Sequence, residues 1–358
     1  MATSFFYSAD IRYNQYLKMN TSMNELMQQI QKAVELRLGR IPLEPEGALR
    51  FFNGFIESDI DLVIDRYAKT LVIFNQVDPP ENLAEALEDI QKYLLKKLPE
   101  IECILVKTRR SPDPVTRRGL ITFGINPAGC IQENGIKYAL DLRLNQDASF
   151  YLDTRNLRSW LKDHAAGWRV LNCFAYTGSL GVAALAGGAA RVTQLDLSRR
   201  FLSVAKRSYH LNGFPVVEKD FLVGDFFRLT SHLRRAGDKF DCVILDAPFF
   251  TTGTGATIHT QQDTSRLVNK VRPLVKDGGY LVAINNALFL NGQEYLAAIE
   301  DLGQDGCLDL EEIIPVPEDV TGFPQTIFRR PPSDPTPFNH PTKIAILRVK
   351  NKNRDVPV

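Results

Sequence analysis

Residues 169–178 read Arg169-Val-Leu-Asn-Cys-Phe-Ala-Tyr-Thr-Gly178, an apolar strand that runs into a short turn with a glycine. Strands that are apolar throughout and alternate with helices are typical of a parallel sheet covered on both faces. The sequence therefore predicts an α/β fold with a doubly wound parallel sheet. A helix is expected over Ser265–Val275, and the later strands are expected at Val192–Asp196, Val216–Val223, Phe240–Asp246, Tyr280–Asn285, Leu308–Ile314 and Lys343–Val349.

Upstream of this alternation the pattern changes. Ser22-Met-Asn-Glu25 has the form of a capping box and precedes apolar residues at helical spacing, which predicts an amphipathic helix. Residues 46–145 combine short antiparallel strands with a helix that opens at Asp78-Pro-Pro80, as in an α+β domain. We therefore predict a helical segment over 1–45, an α+β domain over 46–145, the α/β domain over 146–350 and a polar tail over 351–358.

Composition narrows the function classes. The chain has 358 residues and a net charge of +1, which excludes a uniformly basic coat for nucleic acid but allows a local basic patch. It has no run of about 18 apolar residues, so no membrane segment is predicted. Its five scattered cysteines without a C-x-x-C pair, and its five dispersed histidines, predict reduced thiols in the cytoplasm and no metal site.

Ligand-binding residues are expected outside the carboxyl ends of the parallel strands. The first strand ends in the turn with Gly178, the second in Asp196, the third in Asp225-Phe226 and the fourth in Asp246. A carboxylate at the second strand end can accept both hydroxyls of a ribose, and an acid beside an aromatic ring suits an adenine. A single Asp is also a common helix N-cap, so it is the four ends in order that indicate a nucleoside site.

A dinucleotide site of the NAD type is disfavoured. Its fingerprint, G-x-G-x-x-G, needs three glycines at the first turn, whereas this turn has Gly178 and Gly181, with Tyr176 at the place of the first. Cys173 and Cys242 lie in apolar strands, and we expect both to be inert core thiols.

A cluster of cations surrounds a turn in the α+β domain. Two readings stay open: a solvated face, or a hairpin tip that contacts the phosphates of a nucleic acid. The cluster consists of Lys107, Arg109, Arg110, Arg117 and Arg118.

Several segments together resemble class I S-adenosylmethionine-dependent methyltransferases, and most of all the bacterial large-subunit ribosomal RNA methyltransferases I and K. The similarity runs from roughly residue 47 to residue 349. The block Tyr151-Leu-Asp-Thr-Arg155 is the most specific, because it is not a general methyltransferase feature. The other segments are Leu62–Tyr67, Glu133–Tyr138, Val170–Gly178, Asp196–Ser198, Gly224–Phe227 and Phe240–Phe250.

The resemblance implies a Rossmann-like methyltransferase domain that binds S-adenosylmethionine. It assigns the first turn to the cofactor (Phe174, Tyr176, Thr177, Gly178), the second strand end to its ribose (Asp196, Leu197, Ser198) and the third to its adenine (Asp225, Phe226). It places Arg155 near the methionine carboxylate, where a guanidinium can pair with it. Asp246 and Pro248 would lie beside the transferred methyl group, with Phe249 and Asn285 near the target base.

Three departures from the family pattern bear on RNA capture or on the chemistry. Methyltransferase I-like members usually carry an N-terminal PUA-type domain, where this sequence has a short helical segment. The cytosine-C5 members carry a nucleophilic cysteine after the fifth strand, where this sequence reads Ala283-Ile-Asn-Asn286. Carbon methylation of cytosine needs that thiol, whereas the Asn pair resembles the K-type domain, which methylates guanine N7. Ala247 also replaces a more common proline.

The sequence thus predicts an enzyme that methylates a base nitrogen, guanine N7 or an exocyclic amine, in ribosomal RNA by direct in-line transfer. We expect RNA, from the large subunit, to be its partner, and a homodimer is one assembly that the sequence allows. Two alternatives stay open because fold alone does not fix the substrate. One is a methyltransferase for a small molecule or a protein, and the other is an inactive RNA-binding or ribosome-assembly factor.

Overall fold

The computed structural model describes residues 21–247, 261–304 and 306–350, with residues 261–263 described by their backbone alone. The described chain divides into two compact units. The five-stranded unit comprises residues 21–155 and 317–331, and the seven-stranded unit comprises the described residues of 156–316 and 332–350. The first helix and residues 317–331 therefore belong to the five-stranded unit, which domain limits at 45 and 145 do not anticipate. The predicted polar tail lies outside the described residues.

The five-stranded unit contains a five-stranded sheet in the order β1-β2-β3-β4-β5 and a separate hairpin, β6-β7. Its elements are α1 Met23–Arg40, β1 Ala48–Asn53, α2 Gly54–Glu57, β2 Leu62–Tyr67, β3 Thr70–Asn75, α3 Ala84–Lys97, β4 Cys103–Thr108, α4 Pro114–Arg118, β5 Leu120–Phe123, β6 Cys130–Glu133 and β7 Ile136–Ala139.

The predicted capping box of α1 is confirmed. Ser22 Oγ accepts the Glu25 N–H at 3.3 Å, and Glu25 Oε2 accepts the Ser22 N–H at 2.7 Å. The apolar stripe that follows, with Leu26 and Ile30 fully buried, joins the core on which β1, β2 and α3 also pack.

One strand pair of this sheet differs from the expectation. β3 and β4 are parallel, whereas the other neighbours in the sheet are antiparallel. The physical reason is α3, which lies between β3 and β4 in the chain and carries it back to the other end of the sheet, so that β4 starts beside the start of β3.

The seven-stranded unit carries the predicted α/β fold. Its sheet has the order β10-β9-β8-β11-β12-β14-β13, and the first five strands are parallel. Its elements are α5 Arg155–His164, whose first residue belongs to the other unit, then β8 Arg169–Cys173, α6 Ser179–Ala186, β9 Arg191–Asp196, α7 Arg199–Leu211, β10 Phe221–Val223, α8 Phe226–Arg235, β11 Phe240–Asp246, α9 Gln261–Val271, β12 Val275–Asn285, α10 Gly292–Gly303, β13 Leu308–Ile313 and β14 Lys343–Val349.

Two strands and one helix of the seven-stranded unit depart from the expected pattern. β14 is antiparallel to both β12 and β13, because it fills the position that the β12–α10–β13 crossover leaves between them. β10 is shorter than predicted because Glu218–Asp220 form a 3₁₀ turn before it. α9 ends at Val271, since Pro273 has no N–H to continue an α-helix and Arg272–Leu274 is a 3₁₀ turn.

Residues 317–331, which we call the return segment, connect β13 to β14 in the chain but belong to the five-stranded unit. The segment contains helix α11, Glu318–Thr321. Its Asp319 pairs with Arg155 at 2.7 Å and its Asp319 carbonyl accepts from the buried Arg37 guanidinium at 2.7 Å. Arg37 also pairs with Glu57 at 2.9 Å. Across the described residues, no helix is both long and apolar enough for membrane crossing.

Candidate functional site

The first turn, residues 174–178, has a backbone that ordinary residues rarely adopt. Phe174 and Tyr176 have φ values of 56° and 51°, and Gly178 has 76°. A Cβ at Gly178 would lie 2.6 Å from that of Ala205, so both the conformation and the space require glycine here. Left-handed residues cost energy and cluster at ligand sites. The turn therefore has the geometry of a backbone cradle, as the sequence predicts.

Asp196 joins this turn to the next strand end. Its Oδ2 accepts the Tyr176 N–H at 2.8 Å and its Oδ1 accepts the Ser198 N–H at 2.7 Å. Burial raises the pKa of this carboxyl group, while the two N–H donors act in the opposite direction. A carboxylate has about four acceptor positions, so Asp196 can still accept hydroxyl groups of a ribose.

The third strand end lies beside the second, since the Gly224 N–H donates to the Asp196 carbonyl at 3.0 Å. Asp225 is exposed and accepts the Arg228 N–H at 2.8 Å, so it caps α8. Phe226 is 4% exposed and stacks on Phe174, with the ring centres 4.6 Å apart. The half-buried ring of Phe174 thus forms the accessible part of this aromatic pair.

The remaining predicted cofactor residues occupy three different settings. Leu197 is 62% exposed, directly after Asp196, so it offers an apolar surface beside that carboxylate. Ser198 caps α7 through the Phe201 N–H at 3.4 Å, and Thr177 is buried within the first turn.

Gln194 is a residue that the sequence reading missed. It is fully buried in β9 beneath the first turn, and its Nε2 donates to the Gly178 carbonyl at 3.3 Å and to the Tyr209 hydroxyl at 3.2 Å. Its Oε1 accepts from Asn172 of β8 at 2.8 Å. A Cβ at Gly181 would lie 2.2 Å from Gln194 Nε2. The signal in the sequence was an amide inside an otherwise apolar strand, opposite two small residues.

The fourth strand end adjoins a small apolar cavity between β11, β12, α9 and α10. Asn285 Oδ1 accepts the Ala287 N–H at 3.0 Å, which fixes the exit of β12. Asn286 Oδ1 is buried and has no hydrogen-bond partner among the described residues. Burial and the nearby charge of Asp246 raise the pKa of Tyr295. The cavity is lined by Leu245, Ala247, Thr264, Leu267, Val268, Ala283, Ile284, Asn285, Asn286 and Tyr295.

Pro248 and Phe249 lie outside the described residues. Arg155 lies in the five-stranded unit, where its guanidinium pairs with Asp319 at 2.7 Å and with Glu133 at 3.4 Å. Its role towards a methionine carboxylate stays a prediction.

The expected core thiols are buried. Cys173 and Cys242 are both fully buried, and burial raises the pKa of each thiol. Neither is suited to form a thiolate. Within the described ranges, no group of three His, Cys, Asp or Glu side chains is placed to hold a metal ion.

The predicted cations surround one end of the five-stranded sheet, formed by residues 54–61, 75–78 and 108–119, which we call the arginine end. Lys107 is not available there, which corrects the expectation for this residue. It is 1% exposed, and its Nζ donates to the carbonyls of Arg118, Asn145 and Asp147 at 2.7–3.0 Å. Burial lowers its pKa to about 7. Lys107 therefore stabilises the backbone at Arg118, Asn145 and Asp147.

The four arginines of the cluster are held to different degrees. Arg109 pairs with Asp147 at 3.0 Å, and Arg110 pairs with Asp78 at 3.3 Å. Arg117 donates to the carbonyls of Ser111 and Pro112, and neither of these contacts is with a carboxylate. Arg118 is exposed.

Comparison with known proteins adds three findings. A family model described as S-adenosylmethionine-dependent methyltransferase matches residues 104–307. Ribosomal RNA large subunit methyltransferase I of Photobacterium profundum is 30% identical over 277 residues, which cover 73% of this chain and 70% of that protein. The same-named protein of Aeromonas hydrophila is 31% identical over 253 residues, 70% of this chain and 64% of that protein.

The chain thus spans less than two thirds of some of these relatives, 63% of the one from Aeromonas salmonicida. Among solved structures, SMU.776, a putative methyltransferase complexed with SAH, has a TM-score of 0.76 at 21% identity, covering 93% of this chain and 83% of that one. An S-adenosylmethionine-dependent methyltransferase from Agrobacterium tumefaciens has a TM-score of 0.56 at 15% identity, covering 87% and 94%. These two show the shared fold.

Proposed function

This chain belongs to the family of S-adenosylmethionine-dependent methyltransferases, and from that premise we propose that it methylates a base nitrogen of ribosomal RNA by direct in-line transfer. The observation that carries the proposal is the carboxyl edge of the seven-stranded sheet. There the left-handed first turn, the Asp196 carboxylate and the Phe174–Phe226 pair lie side by side. A large-subunit RNA substrate accords with the names of the relatives, and we propose that the protein acts in the cytoplasm.

The residues at this edge fit the cofactor. Asp196 has acceptor positions left for the ribose hydroxyls, and Leu197 with the half-buried Phe174 offers apolar surface for the adenine. The lack of a side chain at Gly178 lets the turn pack closely on Ala205 and Gln194, which fixes the backbone that would face the cofactor. When bound, the cofactor supplies an electrophilic methyl group on a sulfonium.

Direct transfer to nitrogen accords with the positions of the cysteine thiols in the chain. The exit of β12 carries Asn285 and Asn286 and no cysteine, and the Cys173 and Cys242 thiols are buried with raised pKa. Guanine N7 has a lone pair and no proton, so the protein needs only to align the base with the methyl group and exclude water. For an exocyclic amine, Asp246 would accept a hydrogen bond and orient the group.

The target base is assigned to the fourth strand end. Asp246 and Pro248 would lie beside the transferred methyl group, and Phe249 and Asn285 would lie near the base. The Oδ1 atom of Asn286 is a buried acceptor that lacks a donor among the described residues. An amino group of a bound purine would supply that donor. The exposed and half-buried arginines of the arginine end would contact RNA phosphates.

A methyl-transfer assay on ribosomal RNA tests this proposal. The purified chain is incubated with S-adenosylmethionine labelled in the methyl group and with deproteinised RNA or ribosomal subunits, and the modified nucleosides are identified by mass spectrometry. We expect label in a methylated guanosine. Label on cytosine C5, or transfer only to proteins or small molecules, would contradict the proposal, and RNA binding without transfer would identify an inactive factor.

The cofactor site has its own test. Asp196→Asn should weaken S-adenosylmethionine binding about 10- to 100-fold in calorimetry, because it removes charge from the hydrogen bonds at the ribose. Asp309→Asn, on the exposed edge strand β13, is the matched control and should leave binding unchanged. Equal affinity of both variants would overturn the assignment of Asp196.

A further inference from the structure

The return segment presents two large apolar side chains to solvent. Ile327 is 50% exposed and Phe328 is 55% exposed, and Arg330 next to them is exposed as well. About half of each apolar side chain is therefore open to solvent, and the sequence gave these three residues no role.

The backbone under these side chains is fixed. The N–H groups of Phe328 and Arg329 both donate to the Ile56 carbonyl, at 2.8 and 3.0 Å. The Arg329 guanidinium donates to the Phe55 carbonyl at 2.8 Å and pairs with Asp61 at 2.7 Å. Phe328 is therefore held outward on an ordered support, which lowers the entropy cost of binding something against it.

This support belongs to the arginine end. The Asp61 carbonyl accepts the Gln76 N–H at 2.9 Å, and the Gln76 carbonyl accepts Arg110 Nε at 3.3 Å. Two residues thus link Arg329 to Arg110 along the ends of β2, β3 and β4. With strands about 4.8 Å apart, the five strand ends span about 19 Å, room for several nucleotides.

The charges of this surface suit a polyanion. Residues 54–61, 75–78, 108–119 and 322–331 together contain six arginines and five acidic residues, of which Glu57 pairs with the buried Arg37 and Asp113 caps α4. Three of the arginines face a carboxylate, those of Asp61, Asp78 and Asp147. A positive excess therefore remains, and it lies beside an exposed aromatic ring. Proteins bind unpaired nucleic acid with this combination, since cations contact the phosphates and a ring stacks on a base.

We propose that Phe328, Ile327 and Arg330 extend the arginine end into a binding surface for an unpaired RNA segment, with Phe328 stacked on a base and Arg330 on a phosphate. The inference rests on the proposed function, because it assigns a contact surface for the same RNA. It adds a second kind of contact, a stacking one, to the electrostatic contacts of the arginine loop.

Fluorescence anisotropy with a labelled single-stranded RNA of about 15 nucleotides tests the proposal. Phe328→Ala should weaken binding about 10-fold, and Phe328→Trp, which keeps a stacking ring, should retain it. The matched control is Phe123→Ala. Phe123 is 42% exposed in the same unit but lies at the opposite end of the sheet, where it pairs with Ile104, and its loss should change nothing.

Salt dependence separates the two kinds of contact. Arg330→Ala should lower the slope of log affinity against log salt by about 0.7, the value for one phosphate contact on a single strand, whereas Phe328→Ala should leave the slope unchanged. A perfectly paired RNA duplex should show no loss with Phe328→Ala, because its bases are not free to stack.

Three outcomes would overturn the inference. Phe328→Ala and Phe123→Ala could bind RNA equally, or Phe328→Ala could change the oligomeric state in light scattering while RNA binding persists, which would assign the surface to a protein contact. The proposed function survives both. If the wild-type chain itself binds no RNA, the proposed RNA substrate fails together with the inference.

Discussion

At the carboxyl edge of the seven-stranded sheet, polar groups are fixed by short contacts to backbone, as where Asp196 accepts the Tyr176 N–H at 2.8 Å. At the arginine end of the five-stranded sheet, three long arginine side chains pair with carboxylates, as Arg109 does with Asp147 at 3.0 Å. The first arrangement leaves no freedom to a side chain and requires particular backbone angles. In the second arrangement, an arginine side chain can still rotate about several of its bonds. A cofactor of fixed shape suits the first kind of site, and a variable polyanion suits the second.

Gly178→Ala tests the rigid side of this comparison and should have the largest effect. The added methyl group meets Ala205 and the residue keeps a left-handed backbone, so we expect a loss of about 2–5 kcal/mol in the free energy of unfolding and no detectable S-adenosylmethionine binding. Gly213→Ala is the control, because Gly213 has a φ of 70° but open space around its Cβ position. It should cost about 1–2 kcal/mol and keep cofactor affinity. Equal losses of binding would break the comparison.

Gln194→Leu probes the support beneath the same turn. The change leaves the Asn172 amide and the Tyr209 hydroxyl without their partner, which costs about 1–3 kcal/mol in urea unfolding. We expect cofactor affinity to fall about 10-fold, because the Gly178 carbonyl loses its side-chain donor. Tyr209→Phe removes one arm of the network only and should change affinity by about threefold at most, because the Gln194 donor to the Gly178 carbonyl remains. An unchanged cofactor affinity in Gln194→Leu would show that the first turn keeps its conformation without Gln194.

Lys107→Met tests, through pH, the buried lysine that supports the arginine end. Burial lowers the pKa of Lys107 to about 7, whereas in the unfolded chain it stays near 10.4. Between these values the unfolded chain binds more protons, so the stability of the wild type rises with pH, by up to about 1.4 kcal/mol per unit for this group. The variant should show a flatter rise between about pH 7 and pH 10.

Two features make the pH measurement decisive. Lys343, whose pKa burial likewise lowers to about 7, keeps its own contribution in the variant, so the slope should fall and not vanish. Lys96→Met, at an exposed position of α3, should keep the wild-type slope. Identical slopes for wild type and Lys107→Met would mean that the amine stays charged on its three carbonyl partners.

Arg118→Ala should have the smallest effect. Arg118 is exposed, so its loss should weaken RNA binding only a few-fold and lower the salt slope by about 0.7. Lys96→Ala removes an equal charge near the end of α3, away from the arginine end, and should leave both quantities unchanged. A larger effect of Lys96 than of Arg118 would move the RNA surface elsewhere on the unit.

The same contrast explains what the sequence could predict. The polar groups of the carboxyl edge follow directly after apolar strands, so strand order alone brings Gly178, Asp196 and Asp225 together. The burial of Lys107 depends on the carbonyls of Asn145 and Asp147, about forty residues later, and no local pattern reports such a partner. The strand Lys343–Val349 was predicted, but its antiparallel direction and the return segment were not, since both depend on contacts between distant parts of the chain.

The return segment also has a consequence for how this protein is made. Arg37 and Asp319 are 282 positions apart in the chain, and both are buried with their partners in one unit. The ribosome therefore synthesises the N-terminal part of this unit well before Asp319, whose carbonyl accepts from Arg37 and whose carboxylate pairs with Arg155. Contacts this distant slow folding and leave the early part exposed in the meantime. The five-stranded unit can therefore form its full set of buried contacts only after residues 317–331 have been synthesised.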